Sequence, residues 1–178
     1  MPTEPAPDPG EGNIVLTGFM GTGKSTVGRI LAERLGRRFV DTDEVIEARH
    51  GPIPALFADH GEDRFRELER EVAAELGQRR GLVVSTGGRT MLDPANQDTL
   101  GARATVVCLV ASVDALVGRL RDEAEHRPLL RGGDPAARIA ALLAEREDGY
   151  ARFPQVTTDG RTPDEVADAV IALATAGR

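Results

Sequence analysis

The sequence predicts an α/β domain with an open, five-stranded parallel sheet that is covered by helices on both faces. The chain has 178 residues, which is the length of one domain. From Asn13 onward, short apolar runs alternate with longer amphipathic stretches. Strands separated by helical patterns favour β-α-β units, which build parallel sheets. Residues 13–178 are therefore expected to form a single domain.

Five apolar runs predict strands, and eight amphipathic stretches predict helices. The predicted strands are Ile14–Thr17, Arg38–Val40, Leu82–Ser85, Thr105–Val110 and Gln155–Thr158. The predicted helices are Lys24–Leu35, Val45–His50, Ile53–His60, Gly61–Gln78, Pro94–Thr99, Val113–Arg121, Ala136–Ala151 and Pro163–Ala174. Between two of these helices, the polar stretch 121–135 is expected to be a mobile lid, since long loops in compact domains often cover active sites.

Composition and charge argue against several classes of function. The net charge of -7 and the aromatic content of 3% do not suit a surface that binds nucleic acid. No apolar run approaches the roughly 18 residues that a membrane-spanning helix needs. Residues 1–12 are rich in proline and acids and are expected to be a disordered tail rather than a secretory signal. The single cysteine, Cys108, predicts a reducing, cytoplasmic setting.

The strongest motif runs from Gly18 to Ser25 and has the form G-x-x-x-x-G-K-[ST]. It follows a predicted strand and opens a predicted helix, as a phosphate-binding loop must. Its glycines let backbone N–H groups converge on phosphate oxygens, and the helix N-terminus favours anions. Lys24 is the one lysine among 22 basic residues, and its compact ammonium suits the β- and γ-phosphates. The expected phosphate-binding residues are Gly21, Thr22, Gly23, Lys24, Ser25 and Thr26.

This loop predicts a nucleoside triphosphate ligand, and ATP with Mg²⁺ is favoured. The loop alone does not separate a kinase from a hydrolysing switch or motor. A switch or motor needs dedicated coupling elements, the chain is short, and no segment resembles a base-reading N-K-x-D. A small-molecule kinase fits the size of the chain better.

Two acids, Asp41 and Asp43, end the second predicted strand and point to one side of it. They are expected at the carboxyl edge of the sheet, where open α/β folds bind ligands. One acid could hold the metal, directly or through water, and the other could accept a hydrogen bond from a substrate hydroxyl. Capping of the following helix is the alternative, and both roles can hold together.

Further candidates follow along the chain. Arg66 and Glu69 lie three residues apart on one helical face, and an arginine can anchor a carboxylate with two hydrogen bonds. The Gly87-Gly88 pair after the third strand indicates close approach of the backbone to a ligand, or a plain turn. In the expected lid, Arg127 could neutralise charge on a transferred phosphoryl group. Arg146 and Tyr150 share a helical face, which an ordinary surface pair would also do.

Together these residues resemble the shikimate kinase family. The stretches GFMGTGKST, DTD, GEDRFRELE, STGG and RPLL, and a late arginine with a tyrosine four residues on, occur in the family's order over nearly the whole chain. Each stretch after the first is weak evidence on its own. The occurrence of all of them in this order is specific to the family. The resemblance implies transfer of the γ-phosphoryl group of ATP to the 3-hydroxyl of shikimate. It also implies a five-stranded parallel sheet, a lid and a monomer.

The resemblance carries roles to individual residues. Asp41 matches an acid that helps hold Mg²⁺ through water beside Ser25 and Ser85, and Asp43 matches the acid on the reacting hydroxyl. Arg127 matches the lid arginine on the phosphates, and Lys24, Asp43 and Arg127 are the expected catalytic residues. The expected acceptor-binding residues are Asp43, Phe57, Phe65, Arg66, Glu69, Gly87, Gly88 and Arg146. Arg119, or less favourably Arg121, and Pro163 are expected to flank the adenine.

One position departs from the family pattern, which has a third glycine where this chain has Arg89. The side chain could swing away from the acceptor, narrow the pocket, or bind an additional anionic group. A related kinase for another hydroxylated acid or cyclitol is therefore the alternative function. A non-catalytic nucleotide-binding relative is a third alternative, and the retention of Lys24, Asp43, Arg66 and Arg146 argues against it.

Overall fold

A parallel sheet organises the part of the chain that this computed structural model describes, residues 12–121 and 133–176. Its strands stand in the order β2-β3-β1-β4-β5, and every neighbouring pair is parallel. The strands are β1 (Asn13–Gly18), β2 (Arg38–Asp41), β3 (Leu82–Ser85), β4 (Ala104–Val110) and β5 (Gln155–Thr157). The predicted fold class and the five predicted strands are confirmed, with ends that differ by one residue.

Helices connect the strands and cover both faces of the sheet. They are α1 (Lys24–Leu35), α2 (Thr42–His50), α3 (Ile53–Gly77), α4 (Pro94–Asn96), α5 (Val113–Leu120), α6 (Pro135–Tyr150) and α7 (Pro163–Ala176), and Thr90–Leu92 and Gln97–Gly101 form two further short helical segments. The predicted tail and most of the predicted lid, including Arg127, lie outside the described residues. No helix in the described ranges is both long and apolar enough to cross a membrane.

Successive side chains of the central strand point into different cores. Val15 packs with Ile46 of α2 and Leu68 of α3 on one face. Leu16 packs with helices α1 and α7 on the other face. Because both faces are buried, the strands read as continuous apolar runs rather than as alternating patterns. A third cluster, which includes Phe19, Leu116 and Ile139, holds α5 and α6 against the loop that follows β1.

The range α3 comprises two helical halves that meet at Gly61, where the sequence predicts that one helix, Ile53–His60, ends and the next, Gly61–Gln78, begins. Gly61 has non-helical dihedral angles, φ 79° and ψ 175°, so the chain bends there and then resumes the helix. These angles are accessible mainly to glycine. The bend places the two halves of α3 at different angles to the sheet, and both halves contribute to the site described below.

Two other helices differ from the prediction by three residues at one end. The helix α2 begins at Thr42, three residues before the predicted start, because the Asp41 carboxylate accepts hydrogen bonds from the N–H groups of Asp43 and Glu44. The predicted helix Pro94–Thr99 is regular only through Asn96. Beyond it the turn widens, and the Thr99 hydroxyl donates to the Ala95 carbonyl.

The bend at Gly61 gives a stability test. Gly61→Ala is expected to lower the free energy of unfolding by about 1–3 kcal/mol, because alanine is strained at this φ. A Cβ at Gly61 would meet no atom within 4 Å, so the loss would come from the backbone alone. Urea denaturation followed by circular dichroism measures it.

Gly118→Ala is the matched control, since it lies inside α5 and also has no atom within 4 Å of an added Cβ. It is expected to stabilise the protein by up to ~1 kcal/mol through helix propensity. Equal midpoints for the two variants would contradict the assigned bend.

Candidate active site

Hydrogen bonds among its own residues stabilise the loop between β1 and α1. Lys24 Nζ donates to the carbonyl oxygens of Gly18 at 2.8 Å and Phe19 at 3.0 Å, and the Thr22 hydroxyl donates to Phe19 at 2.8 Å. Gly23 caps α1 in the left-handed conformation, with φ 91°, and no side chain caps this helix. The first N–H groups of α1 are therefore not engaged by a capping side chain, which suits a phosphate.

A cleft of about 220 Å³ opens beside this loop. Its lining residues are Gly21, Thr22, Gly23, Thr26, Val27, Arg119, Thr158, Arg161, Pro163 and Val166. Arg119 crosses the cleft and donates to the Gly21 carbonyl at 3.1 Å and to the Thr158 hydroxyl at 3.0 Å. Both residues expected to flank the adenine, Arg119 and Pro163, line this cleft.

Three oxygen-bearing side chains meet where β1, β2 and β3 end. The Ser25 hydroxyl donates to Asp41 Oδ2 at 2.7 Å and lies 3.3 Å from the Ser85 hydroxyl. Asp41 also caps α2, so the two roles that the sequence suggests for it, metal binding and helix capping, are compatible. Hydroxyl and carboxylate oxygens suit Mg²⁺, which takes few protein ligands and keeps several waters. The residues present fit a magnesium ion shared with nucleotide phosphates.

Asp43 lies in the first turn of α2, close to two other carboxylates. Its Oδ1 is buried and has no hydrogen-bond partner in the described part of the chain. Burial, together with the negative charges of Asp41 and Glu69, raises the pKa of Asp43 to about 6, against the opposing effect of Lys24. An acceptor hydroxyl could donate to this oxygen.

Two paired side chains on α3, the half-buried Arg66 and the buried Glu69, lie on the other side of the Gly87 backbone from Asp43. A Cβ added at Gly87 would lie 3.0 Å from Asp43 Oδ1 and 3.0 Å from Glu69 Oε1, so only glycine fits there. Glu69 is 2% exposed and accepts hydrogen bonds from Arg66 Nη1 and the Thr90 hydroxyl, both at 2.6 Å. Glu69 thus orients Arg66 and fixes the position of its guanidinium.

Arg146 approaches the same space from α6. It is 5% exposed, its guanidinium lies 5.2 Å from the Phe19 ring centroid, and its buried Nε has no described hydrogen-bond partner. A Cβ at Gly88 would lie 3.2 Å from Arg146 Nη1. The Tyr150 hydroxyl donates to the Gly88 carbonyl at 2.6 Å. The Gly88 backbone is therefore held between the two side chains.

The two expected phenylalanines form one wall of this space. Phe57 and Phe65 have ring centroids 4.8 Å apart, and Phe57 is the one exposed large apolar side chain of the described residues, at 37%. They come from opposite sides of the bend at Gly61. The wall is thus open to a ligand ring.

Several contributors were not predicted from the sequence. Thr42 accepts a hydrogen bond from the Gly87 N–H at 3.2 Å, and Thr90 supports Glu69. Thr158 and Arg161 line the cleft beside Gly21–Gly23 from the segment after β5. Thr42 lies within the DTD stretch, but no role was predicted for it, and the other three residues belong to no recognisable motif.

The Arg89 side chain lies at the rim rather than inside the space between Arg66 and Arg146. Its Nη1 is 3.6 Å from Glu62 Oε1 and 3.8 Å from Glu145 Oε1, and the side chain is 43% exposed. Of the three possibilities that the sequence leaves open, the structure therefore favours a side chain turned away from the Asp43 oxygen.

A model of shikimate kinases matches residues 20–175 of this chain. The chain belongs to the shikimate kinase family. It is 46% identical over 156 residues to the shikimate kinase of Geobacter sulfurreducens, with 86% of each protein covered. It is 48% identical over 164 residues to that of Halorhodospira halophila, covering 90% of this chain and 92% of the relative.

Solved structures agree with this membership. The shikimate kinase from Acinetobacter baumannii in complex with shikimate superposes with a TM-score of 0.87 at 35% identity, covering 95% of this chain and 96% of that one. A gluconokinase from Sinorhizobium meliloti 1021 superposes with a TM-score of 0.63 at 24% identity, which shows a shared fold alone. The family resemblance drawn from the motifs is confirmed.

The charge of Asp43 gives a pH-dependent stability test. Its pKa is about 6 in the folded protein and 3.8 ordinarily, so the ionised side chain destabilises the fold above pH 6 and this cost disappears below pH 4. Asp43→Asn is expected to raise the free energy of unfolding by about 3 kcal/mol at pH 8 and by about half as much at pH 5. Urea denaturation without Mg²⁺ measures both values.

Asp63→Asn is the control, because Asp63 is exposed on the same helix as Glu69. Its effect is expected to stay within ~0.5 kcal/mol at both pH values. A gain in Asp43→Asn that does not depend on pH would show that the carboxylate is not destabilised by burial.

Proposed function

We propose that this protein transfers the γ-phosphoryl group of ATP to the 3-hydroxyl of shikimate, giving shikimate 3-phosphate and ADP. The observation that carries the proposal is the convergence of Arg66, Arg146 and the unpartnered Asp43 oxygen beside the loop of Lys24. The two guanidinium cations, Arg66 and Arg146, suit one carboxylate of a ligand. The Asp43 oxygen suits a hydroxyl group of the same ligand. The acceptor is thus a hydroxylated acid, the chemistry that shikimate offers.

In the proposed binding mode, ATP lies in the cleft between Arg119 and Pro163, with its phosphates on Gly21–Thr26. Lys24 would exchange its two carbonyl contacts for phosphate oxygens, since the ammonium is a compact charge on a flexible chain. Ser25 and Asp41 would hold Mg²⁺, Asp41 through water. When bound, Mg²⁺ neutralises phosphate charge.

The acceptor carboxylate would pair with Arg66 and Arg146, while its ring lies against Phe57 and Phe65. Gly87 and Gly88 allow it to approach the backbone, and Glu69 keeps Arg66 oriented. Its hydroxyl would donate to Asp43. These contacts fix the attacking oxygen relative to the phosphate loop, which is the main contribution that a protein makes to phosphoryl transfer.

In the transfer step, the acceptor oxygen forms a bond to the γ-phosphorus as the bond from that phosphorus to the β-phosphate oxygen breaks. The hydroxyl proton passes to Asp43, whose raised pKa makes it a better proton acceptor than an ordinary aspartate. The transition state is loose, so little base strength is needed. We assign Arg127, outside the described residues, to the phosphates.

We also propose that the enzyme acts as a monomer in the cytoplasm. Cys108 is buried, and burial raises the pKa of its thiol to about 12, so its thiolate is scarcely populated. A buried thiol that stays protonated supports the proposal that the protein works in a reducing compartment and needs no disulfide bond.

The decisive test measures ADP release by the purified protein with MgATP, with and without shikimate, and identifies the product by mass spectrometry. Shikimate-dependent turnover with one added phosphoryl group is expected. Lys24→Met is expected to lower kcat by about 100-fold or more, because the charge facing the phosphates is lost. Gluconate and a neutral cyclitol serve as comparison acceptors, and preference for either would contradict the proposal.

The two arginines are tested by direct binding of shikimate. Arg66→Ala and Arg146→Ala are each expected to raise the Kd by about 30-fold or more, because a buried charge pair loses one partner. Titration calorimetry measures the Kd. Arg64→Ala is the control, since Arg64 pairs with Glu67 and Glu71 on the surface of α3. An unchanged Kd in Arg66→Ala would rule out its role on the carboxylate.

A further inference from the structure

Two arginines at the rim of the acceptor pocket share one carboxylate oxygen. Arg66 Nε and Nη2 donate to Glu62 Oε1 at 3.2 and 3.0 Å. Arg89 Nη1 lies 3.6 Å from the same oxygen. Glu62 and Arg66 are one turn apart on α3, whereas Arg89 follows the Gly87-Gly88 segment. Glu62 is therefore placed between an acceptor-binding arginine and a second arginine at the rim.

Arg66 is already engaged by protein carboxylates in this structure. Its Nη1 donates to Glu69 at 2.6 Å, and its Nε and Nη2 donate to Glu62. Of the five N–H donors of the Arg66 guanidinium, these acids take three, which leaves one on Nη1 and one on Nη2. A carboxylate that binds a guanidinium with two hydrogen bonds uses Nη2 together with Nε or with Nη1, so it would take the place of Glu62 or lie against the negative charge of Glu62. Such binding of the acceptor therefore favours movement of one of the two glutamates.

Of these two acids, Glu62 is the one that can leave. Glu69 is 2% exposed and is held by Thr90 as well as by Arg66, so moving it would strand a buried charge. The Glu62 side chain is 52% exposed and can rotate at little cost. Once displaced, however, it would stand close to the carboxylate that replaced it and would repel that carboxylate.

We propose that Arg89 is a positioning residue that receives Glu62 when the acceptor carboxylate displaces it from Arg66. The inference rests on the proposed function, since it needs an acceptor with a carboxylate. A shortening of less than about 1 Å turns the present 3.6 Å contact into a hydrogen bond. The Arg89 side chain is 43% exposed and long enough for this movement.

A second carboxylate, that of Glu145, also attracts Arg89. It lies 3.8 Å from the same Arg89 nitrogen and directly precedes Arg146 in α6. Glu145 therefore competes with Glu62 for Arg89, and the two acids hold the guanidinium at the rim from both sides. Removing Glu145 leaves Arg89 free to engage Glu62 fully.

The test is a double-mutant cycle on the full-length protein, with the Kd for shikimate measured by titration calorimetry and kcat by ADP release. Arg89→Ala is expected to raise the Kd about two- to fivefold, the range for an exposed ion pair. Its kcat and its KM for ATP are expected to match the wild type. Arg89→Lys is expected to restore most of the affinity, and Glu145→Gln is expected not to weaken binding.

The Glu62→Gln background decides the mechanism. Without a charge on residue 62, Arg89→Ala is expected to leave the Kd unchanged, because no displaced carboxylate needs a partner. An equal loss of affinity in both backgrounds would show that Arg89 attracts the acceptor directly, and this overturns the inference. An unchanged Kd in Arg89→Ala alone also overturns it.

Arg64→Ala is the control for the loss of a surface arginine near the same helix and is expected to bind shikimate like the wild type. Turnover of shikimate by the wild-type protein separates the proposed function from the inference about Arg89. If the wild type does not turn shikimate over, both are overturned. If it does, and Arg89→Ala leaves the Kd unaffected, only the inference about Arg89 is overturned.

Discussion

The carboxylates of Asp41, Asp43 and Glu69 crowd the carboxyl edge of one sheet, and their repulsion governs the arrangement of the site. Asp41 is satisfied by Ser25 and by two N–H groups of α2. Glu69 is satisfied by Arg66 and Thr90. Asp43 Oδ1 has no described hydrogen-bond partner, and burial together with the neighbouring negative charges raises the pKa of this carboxyl group. The fold therefore leaves one buried oxygen without a hydrogen bond beside the loop of Lys24, where we propose that the acceptor hydroxyl binds.

Phe19 packs between the loop of Lys24 and the proposed acceptor pocket. Its ring lies under the Arg146 guanidinium, and its carbonyl accepts hydrogen bonds from Lys24 and Thr22. Phe19 is 1% exposed and packs in one core cluster with Tyr150. A shift of α6 would thus disturb the loop as well as the pocket. Phosphoryl transfer depends on alignment of donor and acceptor, and this packing supplies part of it.

The sequence was sufficient for those parts of the site that follow directly from a strand. Lys24, Ser25, Asp41 and Asp43 come soon after strand ends, so their places at the sheet edge follow from parallel topology. The shared contact of Glu62 with Arg66 and Arg89 could not be predicted, because it depends on the angle between α3 and the glycine segment. For a similar reason nothing in the sequence identified Thr158 and Arg161, which reach the proposed nucleotide cleft after β5.

The bend at Gly61 shows what a local pattern can and cannot predict. Glycine in a helical stretch predicted an end and a new beginning, and the structure has two helical halves that meet at the non-helical Gly61. Leu56 and Leu68, one from each half, pack on the same core, and periodicity within either half contains no information about that shared packing.

The solitary lysine has a practical consequence for covalent chemistry. Reagents and enzymes that modify side-chain amines usually distribute over many sites on a protein surface. Here they have one side chain available, Lys24, and its nitrogen sits at the nucleotide phosphates' expected position. Acylation, carbamylation or amine coupling of a side chain would therefore inactivate this molecule at its first event. The number of modified side chains and the loss of turnover should therefore coincide one for one.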